Sequence, residues 1–252
     1  MFSLASLNIH NMADRWLERR ELVVKALLEA QPDVVALQEV RLSAGQAWWV
    51  CNQLNARLGQ VVYTVAQQRS WRFWFGRQQG LALLSKLPIV AQDALALGQG
   101  GRVALRINIA LPTGHLVDVV TTHLQVGPFE GEERLAQVMR LVGWLNERGR
   151  APYQIIAGGF EDVPTSLAVT YMRQNYTSAY AQVRGRDPLA TWPTSLVGGD
   201  VPSACLDYLF ITRTLAATAA SLFATRPHPD HPTLFPSDHI GLFATLELRE
   251  NS

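Results

Sequence analysis

Short apolar runs alternate along this chain with longer segments in which apolar residues recur every three or four positions. The short runs predict strands, and the longer segments predict amphipathic helices. Strands are expected at residues 2–9, 33–39, 61–66, 80–85, 89–97, 103–111, 115–123, 153–158, 206–211, 217–224 and 239–248, and helices at 15–30, 44–58, 132–148 and 167–174. Hairpins mixed with helices favour an α+β fold over a doubly wound parallel sheet.

Two of the predicted strands, residues 33–39 and 153–158, are apolar at nearly every position. A strand of this kind is covered on both of its faces, so both should lie inside layered structure. The predicted elements follow one another without a linker, an internal repeat or a block of like charge. Residues 1–252 are therefore expected to form a single domain.

Small polar groups stand at or near the ends of the predicted strands. They are Ser6-Leu7-Asn8, Leu37-Gln38-Glu39, Thr122-His123-Leu124, Gly158-Gly159-Phe160-Glu161, Leu206-Asp207-Tyr208 and Ser237-Asp238-His239. A β fold could bring all of these strand ends to one rim. Together they would supply carboxylates, imidazoles and an amide, which suit a hard divalent cation and the cleavage of a phosphate ester.

Taken singly, each group has an ordinary structural explanation. Glu39 could be a solvated strand end, and Asn8 and Asp238 could be turn residues. His123 could be a half-buried histidine bonded to the backbone. Asp207 differs, because a carboxylate inside an apolar segment needs a partner, and an imidazole is the natural one. The occurrence of all of them in one chain, at strand ends, favours a common site.

Composition narrows the function only slightly. Hydrophobic residues make up 48% and charged residues 17% of the chain, which suits a globular enzyme. The net charge of +1 gives no support for nucleic acid as a partner. Cys51 and Cys205 lie in apolar stretches and predict buried thiols in a reducing compartment. No signal peptide and no apolar run of membrane-spanning length is visible, so a cytoplasmic location is expected.

In their order along the chain, the polar groups resemble the motifs of the endonuclease/exonuclease/phosphatase superfamily. This superfamily includes deoxyribonuclease I, abasic-site endonucleases, neutral sphingomyelinases and inositol polyphosphate 5-phosphatases. Further matches are the segment 80–89, the pair Arg134 and Gln137, and Thr191-Trp192-Pro193-Thr194. The resemblance covers essentially the whole chain. It implies an α+β four-layer sandwich, in which two mixed β-sheets pack face to face between helices and the active site lies on one rim.

The resemblance also implies roles for individual residues. Glu39 would be the principal ligand of Mg²⁺ or Mn²⁺, with Asn8 and Asp238 nearby. His239, oriented by Asp207, would handle a proton or the attacked phosphate, and His123 would contact a phosphate oxygen. The chemistry implied is in-line attack of water on phosphorus.

Arg102 follows Gly100-Gly101 and has two interpretations. Its guanidinium could clamp the substrate phosphate, because it matches two oxygens at once. It could equally be a surface arginine in a turn.

The fourth polar group departs from the family pattern. The family has Gly-Asp-Phe-Asn, whereas this chain has Gly158-Gly159-Phe160-Glu161, so the aspartate that orients or deprotonates the attacking water is a glycine. Positions 159 and 161 lie two apart on a presumed extended segment and should face the same way. Glu161 could then serve as the base, or change the metal site, or mark the loss of catalysis. Asp162 is expected to point away from the site.

The sequence therefore predicts a metal-dependent phosphoric ester hydrolase with weakened or altered activity. The alternative is a catalytically degenerate module that binds a phosphate ligand or another protein. Substrate class depends partly on the aromatic segment Trp71-Arg72-Phe73-Trp74-Phe75. Exposed, this segment would touch lipid or stack against a base or sugar; buried, it would fold over the core.

Overall fold

The computed structural model describes residues 1–70, 79–147 and 151–249. Its strands are β1 (Phe2–Asn8), β2 (Val34–Val40), β3 (Thr64–Arg69), β4 (Gly80–Ser85), β5 (Ile89–Ala96), β6 (Val103–Ala110), β7 (Leu116–His123), β8 (Gln154–Gly159), β9 (Thr177–Ser178), β10 (Asp207–Ile211), β11 (Leu215–Phe223) and β12 (Gly241–Leu248). Its helices are α1 (Trp16–Ala30), α2 (Gln46–Leu58), α3 (Gly131–Glu147), α4 (Leu167–Asn175) and α5 (Ala179–Arg184).

The strands form two mixed sheets of six strands each. One sheet has the order β11-β12-β1-β2-β4-β3, and the other has the order β5-β6-β7-β8-β10-β9. Leu4 and Val119 lie in the core between the sheets, whereas Leu7 packs toward α1 and α2, and Val120 packs toward α3 and α4. The predicted four-layer α+β sandwich is confirmed. Coverage of both sheet faces explains why β2 and β8 are apolar at nearly every position.

Sheet topology brings the polar groups to one edge of the sandwich, which we call the rim. In one sheet β1 and β2 are parallel, with Asn8 opposite Gln38, so both strands end there. In the other sheet β7 and β8 are parallel, with His123 opposite Gly159. Asp207, at the start of antiparallel β10, is also paired with Gly159. Strand ends far apart in sequence thus become neighbours.

Several predicted boundaries differ from those of the structure. β3 begins at Thr64 instead of residue 61, and β12 begins at Gly241, because Asp238 and His239 belong to the preceding loop. No pattern of apolar residues indicated β9 or α5; α5 has only six residues, too few for a helical period to be recognised. The segment Trp71–Phe75 lies outside the described residues, so the expectation of lipid or base contact there stays a prediction.

The two cysteines were expected to be buried thiols. Cys51 and Cys205 are both buried and free, as predicted from their apolar surroundings. Burial raises the pKa of the Cys205 thiol to about 12.

Within the described ranges, none of the helices has the length and apolar character needed to cross a membrane.

Candidate active site

Glu161 and His123 form the closest contact at the rim. Oε1 of Glu161 lies 3.0 Å from Nε2 of His123, and both side chains are nearly buried. Burial raises the pKa of Glu161, but the hydrogen bond to His123 and the positive charges of the surrounding side chains outweigh it and hold that pKa below its ordinary value. Glu161 is therefore an ionised carboxylate at neutral pH.

The Glu161 carboxylate fills space that a side chain at position 159 would need. A Cβ in standard geometry on Gly159 would lie 2.9 Å from Oε1 of Glu161 and 2.8 Å from Cδ2 of His123. The expected convergence of positions 159 and 161 is present, but not by strand alternation. β8 ends at Gly159, and Glu161 adopts a left-handed conformation with φ of 55°. Such a conformation is uncommon for a residue other than glycine or asparagine and costs free energy.

The turn that carries Glu161 is fixed by its neighbours. The backbone N–H groups of Phe160 and Glu161 both donate to the carbonyl of Leu206, at 2.8 and 3.3 Å. The Phe160 ring is fully buried and makes edge contacts with Tyr208 and Phe210. Packing of one aromatic ring thus determines where the next side chain points. Asp162 accepts a hydrogen bond from Nε of Arg134 at 2.9 Å.

Glu39 is held by two amides. Nδ2 of Asn8 donates to its Oε1 at 3.3 Å, and Nε2 of Gln79 donates to its Oε2 at 2.9 Å. Oδ1 of Asn8 accepts the backbone N–H of His10, which fixes the amide with its nitrogen toward Glu39. Oε1 of Glu39 also lies 3.8 Å from Nε2 of His123. Like Glu161, Glu39 has a positive φ, of 53°.

His239 and Asp207 form a buried pair, as the sequence predicts. Nδ1 of His239 lies 2.7 Å from Oδ2 of Asp207. Burial lowers the pKa of His239, but the charge of Asp207 and its hydrogen bond dominate and raise that pKa to about 10. Oγ1 of Thr191 accepts the backbone N–H groups of Leu206 and Asp207, at 2.9 and 3.1 Å. The Thr191 motif therefore positions the start of β10.

Both carboxylate oxygens of Asp238 have polar partners. Oδ1 accepts the Ser237 hydroxyl at 3.1 Å, while Oδ2 lies 3.3 Å from Nε1 of Trp192 and 3.1 Å from Nδ1 of His10. Burial raises the pKa of Asp238, but the hydrogen bond and charge of His10 and the charge of His239 outweigh it and lower that pKa to about 2. The Ser237 hydroxyl also lies 2.6 Å from the Asn8 carbonyl oxygen, which joins this loop to the end of β1.

Arg102, the residue just before β6, reaches the same cluster. Its Nη1 lies 3.1 Å from Nδ1 of His123, and its Nε lies 3.4 Å from Oε1 of Gln125. The structure thus brings all the predicted site residues to one rim. These are Asn8, Glu39, Arg102, His123, Glu161, Asp207, Asp238 and His239.

Sequence reasoning missed two residues that touch this set, His10 and Gln79, and a third, Arg19, that holds one of them in place. His10 lies between Asp238 and Asp14, with Nε2 2.6 Å from Oδ2 of Asp14. Gln79 donates to Glu39, and the buried guanidinium of Arg19 holds the loop that contains His10. His10 had one usable signal, since it is a histidine only two positions after the candidate site residue Asn8. Gln79 and Arg19 had no signal, because only the tertiary contacts distinguish them from other glutamines and arginines.

The donors around Glu39 suit a magnesium-like ion. Among the side chains that the structure describes, no three His, Cys, Asp or Glu residues form a cage for a metal. Mg²⁺ does not need one, since it is usually held by one or two carboxylates together with waters and substrate phosphate. The Glu39 carboxylate, held by the amides of Asn8 and Gln79, fits that requirement. Metal ligation by Glu39, Asn8 and Asp238 stays a prediction.

Comparison with known families identifies the family of this chain. A model of the Endonuclease/Exonuclease/phosphatase family matches residues 5–239, almost the whole chain. The chain belongs to the Endonuclease/Exonuclease/phosphatase family. No curated protein matches the chain.

Several solved structures share the fold of this chain. The human Nocturnin catalytic domain, with bound sulfate, is 21% identical, with a TM-score of 0.77 over 98% of this chain and 94% of that one. D. rerio TDP2 with a single-stranded DNA product is 19% identical, with a TM-score of 0.79 over 98% of both chains. A Bacteroides thetaiotaomicron mannosyl-6-phosphatase is 15% identical, with a TM-score of 0.81 over 98% of this chain and all of that one. At these identities the likeness establishes the fold.

Proposed function

We propose that this chain is a divalent-metal-dependent hydrolase of phosphoric esters in which Glu161 replaces the aspartate of the family motif. The observation that carries the proposal is the 2.9 Å separation between Oε1 of Glu161 and a Cβ placed on Gly159. An aspartate at 159 would extend its carboxylate from that Cβ. Glu161 delivers a carboxylate to the same space from two positions further along the chain.

Glu39 would hold Mg²⁺ or Mn²⁺, with Asn8 and Asp238 nearby, as the resemblance to the family implies. The bound cation would neutralise part of the negative charge on the phosphate oxygens. Asn8 and Gln79 contribute by fixing the Glu39 carboxylate through hydrogen bonds to its two oxygens. Such outer contacts orient a ligand before the metal arrives.

Glu161 is suited to accept the proton of the attacking water. Its pKa is held below the ordinary value, so it is ionised at neutral pH, and its Oε1 is oriented by His123. The water oxygen would bond to phosphorus as the phosphorus–oxygen bond to the leaving group breaks. The water proton passes to Glu161, which acts as a general base.

His239 is suited to the opposite task. Asp207 binds its Nδ1 and raises the pKa of His239 to about 10, so the ring is a buried cation at neutral pH. Its Nε2–H can donate to a phosphate oxygen, or give its proton to the departing oxygen. A positioned donor at this point stabilises charge that develops during the reaction.

Phosphodiesters and phosphomonoesters are both proposed as substrates. The structural neighbours include a protein bound to a single-stranded DNA product and a mannosyl-6-phosphatase. The net charge of +1 gives no added weight to nucleic acid. A small or activated ester is therefore the appropriate first substrate.

The test is hydrolysis of bis(p-nitrophenyl) phosphate and p-nitrophenyl phosphate with Mg²⁺, with Mn²⁺ and with chelator. Glu161→Gln and His239→Ala are compared with His115→Ala, a control at an exposed histidine of the β6–β7 turn. We expect metal-dependent turnover that falls by about 10²- to 10⁴-fold in Glu161→Gln and is unchanged in His115→Ala. Turnover no higher than that of His239→Ala, with both metals and both esters, would favour the degenerate phosphate-binding module instead.

A further inference from the structure

We infer that Arg102 acts on catalysis through His123, as a positioning residue for the Glu161 carboxylate, and not as a clamp on the substrate phosphate. This inference rests on the proposed function, since it concerns the same site. It is carried by three side chains in contact at the rim: Nη1 of Arg102 lies 3.1 Å from Nδ1 of His123, and Nε2 of His123 lies 3.0 Å from Oε1 of Glu161.

The two outer partners determine where the His123 ring carries its proton. A guanidinium has donors only, so Nδ1 of His123 must accept from Arg102. An ionised carboxylate has acceptors only, so Nε2 must donate to Glu161. With these partners the ring proton lies on Nε2, and Nδ1 presents its lone pair to Arg102. A different partner at Nδ1 would permit the other tautomer, and the bond to Glu161 would be lost.

The hydrogen bond from His123 fixes the Glu161 carboxylate. Its Oε1 is oriented by Nε2–H, which leaves Oε2 to accept the proton of a water. Glu161 also has one more rotatable bond than the aspartate it replaces, so it needs external support to stay in one position. Precise placement of a base matters, because a misplacement of about 1 Å can cost about 100-fold in rate.

Arg102 is itself held in a prepared loop. Oε1 of Gln125 lies 3.4 Å from Nε of Arg102, and the backbone N–H of Gln125 donates to Oε1 of Gln137 at 2.9 Å. Gly100 leaves room for this arrangement, because a Cβ there would lie 2.1 Å from Oε1 of Gln125. The contacts run from the glycine loop through Gln125 and Arg102 to His123. The guanidinium is directed at the histidine.

The test separates a hydrogen-bond donor from a positive charge at position 102. Arg102→Met removes both, Arg102→Gln keeps a donor without charge, and Arg102→Lys keeps both. The control is Arg184→Met, since Arg184 lies on α5 and donates to the carbonyl of Ala220. Three quantities are measured for each protein. They are kcat and KM for bis(p-nitrophenyl) phosphate with Mn²⁺, the affinity for inorganic phosphate, and the ¹⁵N shifts of labelled histidines.

We expect the His123 Nδ1 resonance, assigned with His123→Gln, to be that of an unprotonated nitrogen in the wild type. It should shift toward a tautomer mixture in Arg102→Met and be retained in Arg102→Gln and Arg102→Lys. We expect kcat to fall by about 10- to 100-fold in Arg102→Met, with KM and phosphate affinity within about twofold of the wild type. Arg102→Gln should recover most of kcat.

A phosphate clamp would give the opposite pattern. KM and phosphate affinity would then weaken in Arg102→Met and in Arg102→Gln alike, and the tautomer of His123 would not change; that result overturns the inference. The ¹⁵N and phosphate measurements need no turnover. They therefore decide the role of Arg102 even if the wild-type protein hydrolyses neither ester and the proposed function fails.

Discussion

Arg19 donates from Nη1 to the carbonyl oxygen of Pro236 at 3.0 Å, across 217 positions of sequence. Its guanidinium is fully buried and also donates to five carbonyls of the β1–α1 loop, namely those of Ile9, His10, Asn11, Ala13 and Asp14. The carbonyl of Pro236 directly precedes Ser237-Asp238-His239. Arg19 therefore joins the loop after β1 to the loop that carries two predicted site residues.

Arg19→Met should be strongly destabilising. The substitution leaves buried carbonyls without a donor, and each such group costs about 1–3 kcal/mol. We expect the free energy of unfolding to fall by more than about 3 kcal/mol in urea denaturation. The matched control is Arg57→Met, which removes an exposed ion pair with Glu21 and should cost less than about 1 kcal/mol. Equal losses in the two variants would contradict the role assigned to Arg19.

Gly159→Asp alone should impair the protein, although it restores the family aspartate. Its Cβ would crowd Oε1 of Glu161 and Cδ2 of His123, at 2.9 and 2.8 Å. A second carboxylate beside Glu161 would also repel it. The double variant Gly159→Asp/Glu161→Asn restores the whole family motif and relieves both problems. We expect it to recover stability and turnover relative to Gly159→Asp, with a coupling of about 1 kcal/mol or more in the double-mutant cycle. Additive effects would mean that the two positions do not share one space.

Gln79→Ala should weaken metal binding at Glu39. Gln79 donates to Oε2 of Glu39 at 2.9 Å, and the loss of such an outer contact typically costs 10- to 100-fold in metal affinity. We expect a weakening of about tenfold in a calorimetric titration with Mn²⁺. Gln68→Ala is the control, because Gln68 lies on β3 of the same sheet and its amide donates to the Arg69 carbonyl. A similar change in both variants would exclude a specific effect on Glu39.

Asp238 should give the metal-free protein an acid-sensitive stability. Its pKa is lowered from 3.8 to about 2, so the folded state binds this proton less tightly than the unfolded state. Its contribution is present above pH 4 and is lost as the pH falls through the folded value. A shift of this size corresponds to about 2 kcal/mol. With chelator present, Asp238→Asn should flatten the dependence of unfolding free energy on pH between about 4 and 2. Asp230→Asn, at an exposed loop position, should leave the slope unchanged.

Local pattern was sufficient for most of the fold. The apolar runs at β2 and β8 predicted doubly covered strands, and the helical period predicted α1 to α4. The polar strand ends, in their family order, predicted the rim and the pairing of Asp207 with His239. These features follow from the sequence because period, burial and strand ends are properties of neighbouring residues.

Only the tertiary structure determined where the altered motif places its carboxylate. Strand alternation predicted that Glu161 would face the site. The side chain does so, but because its backbone is in the left-handed conformation and the buried Phe160 ring fixes the turn. The contacts of Arg102 with His123, of Gln79 with Glu39 and of Arg19 with Pro236 join residues far apart in sequence. No local pattern encodes such contacts, because they depend on how the two sheets place their loops against one another.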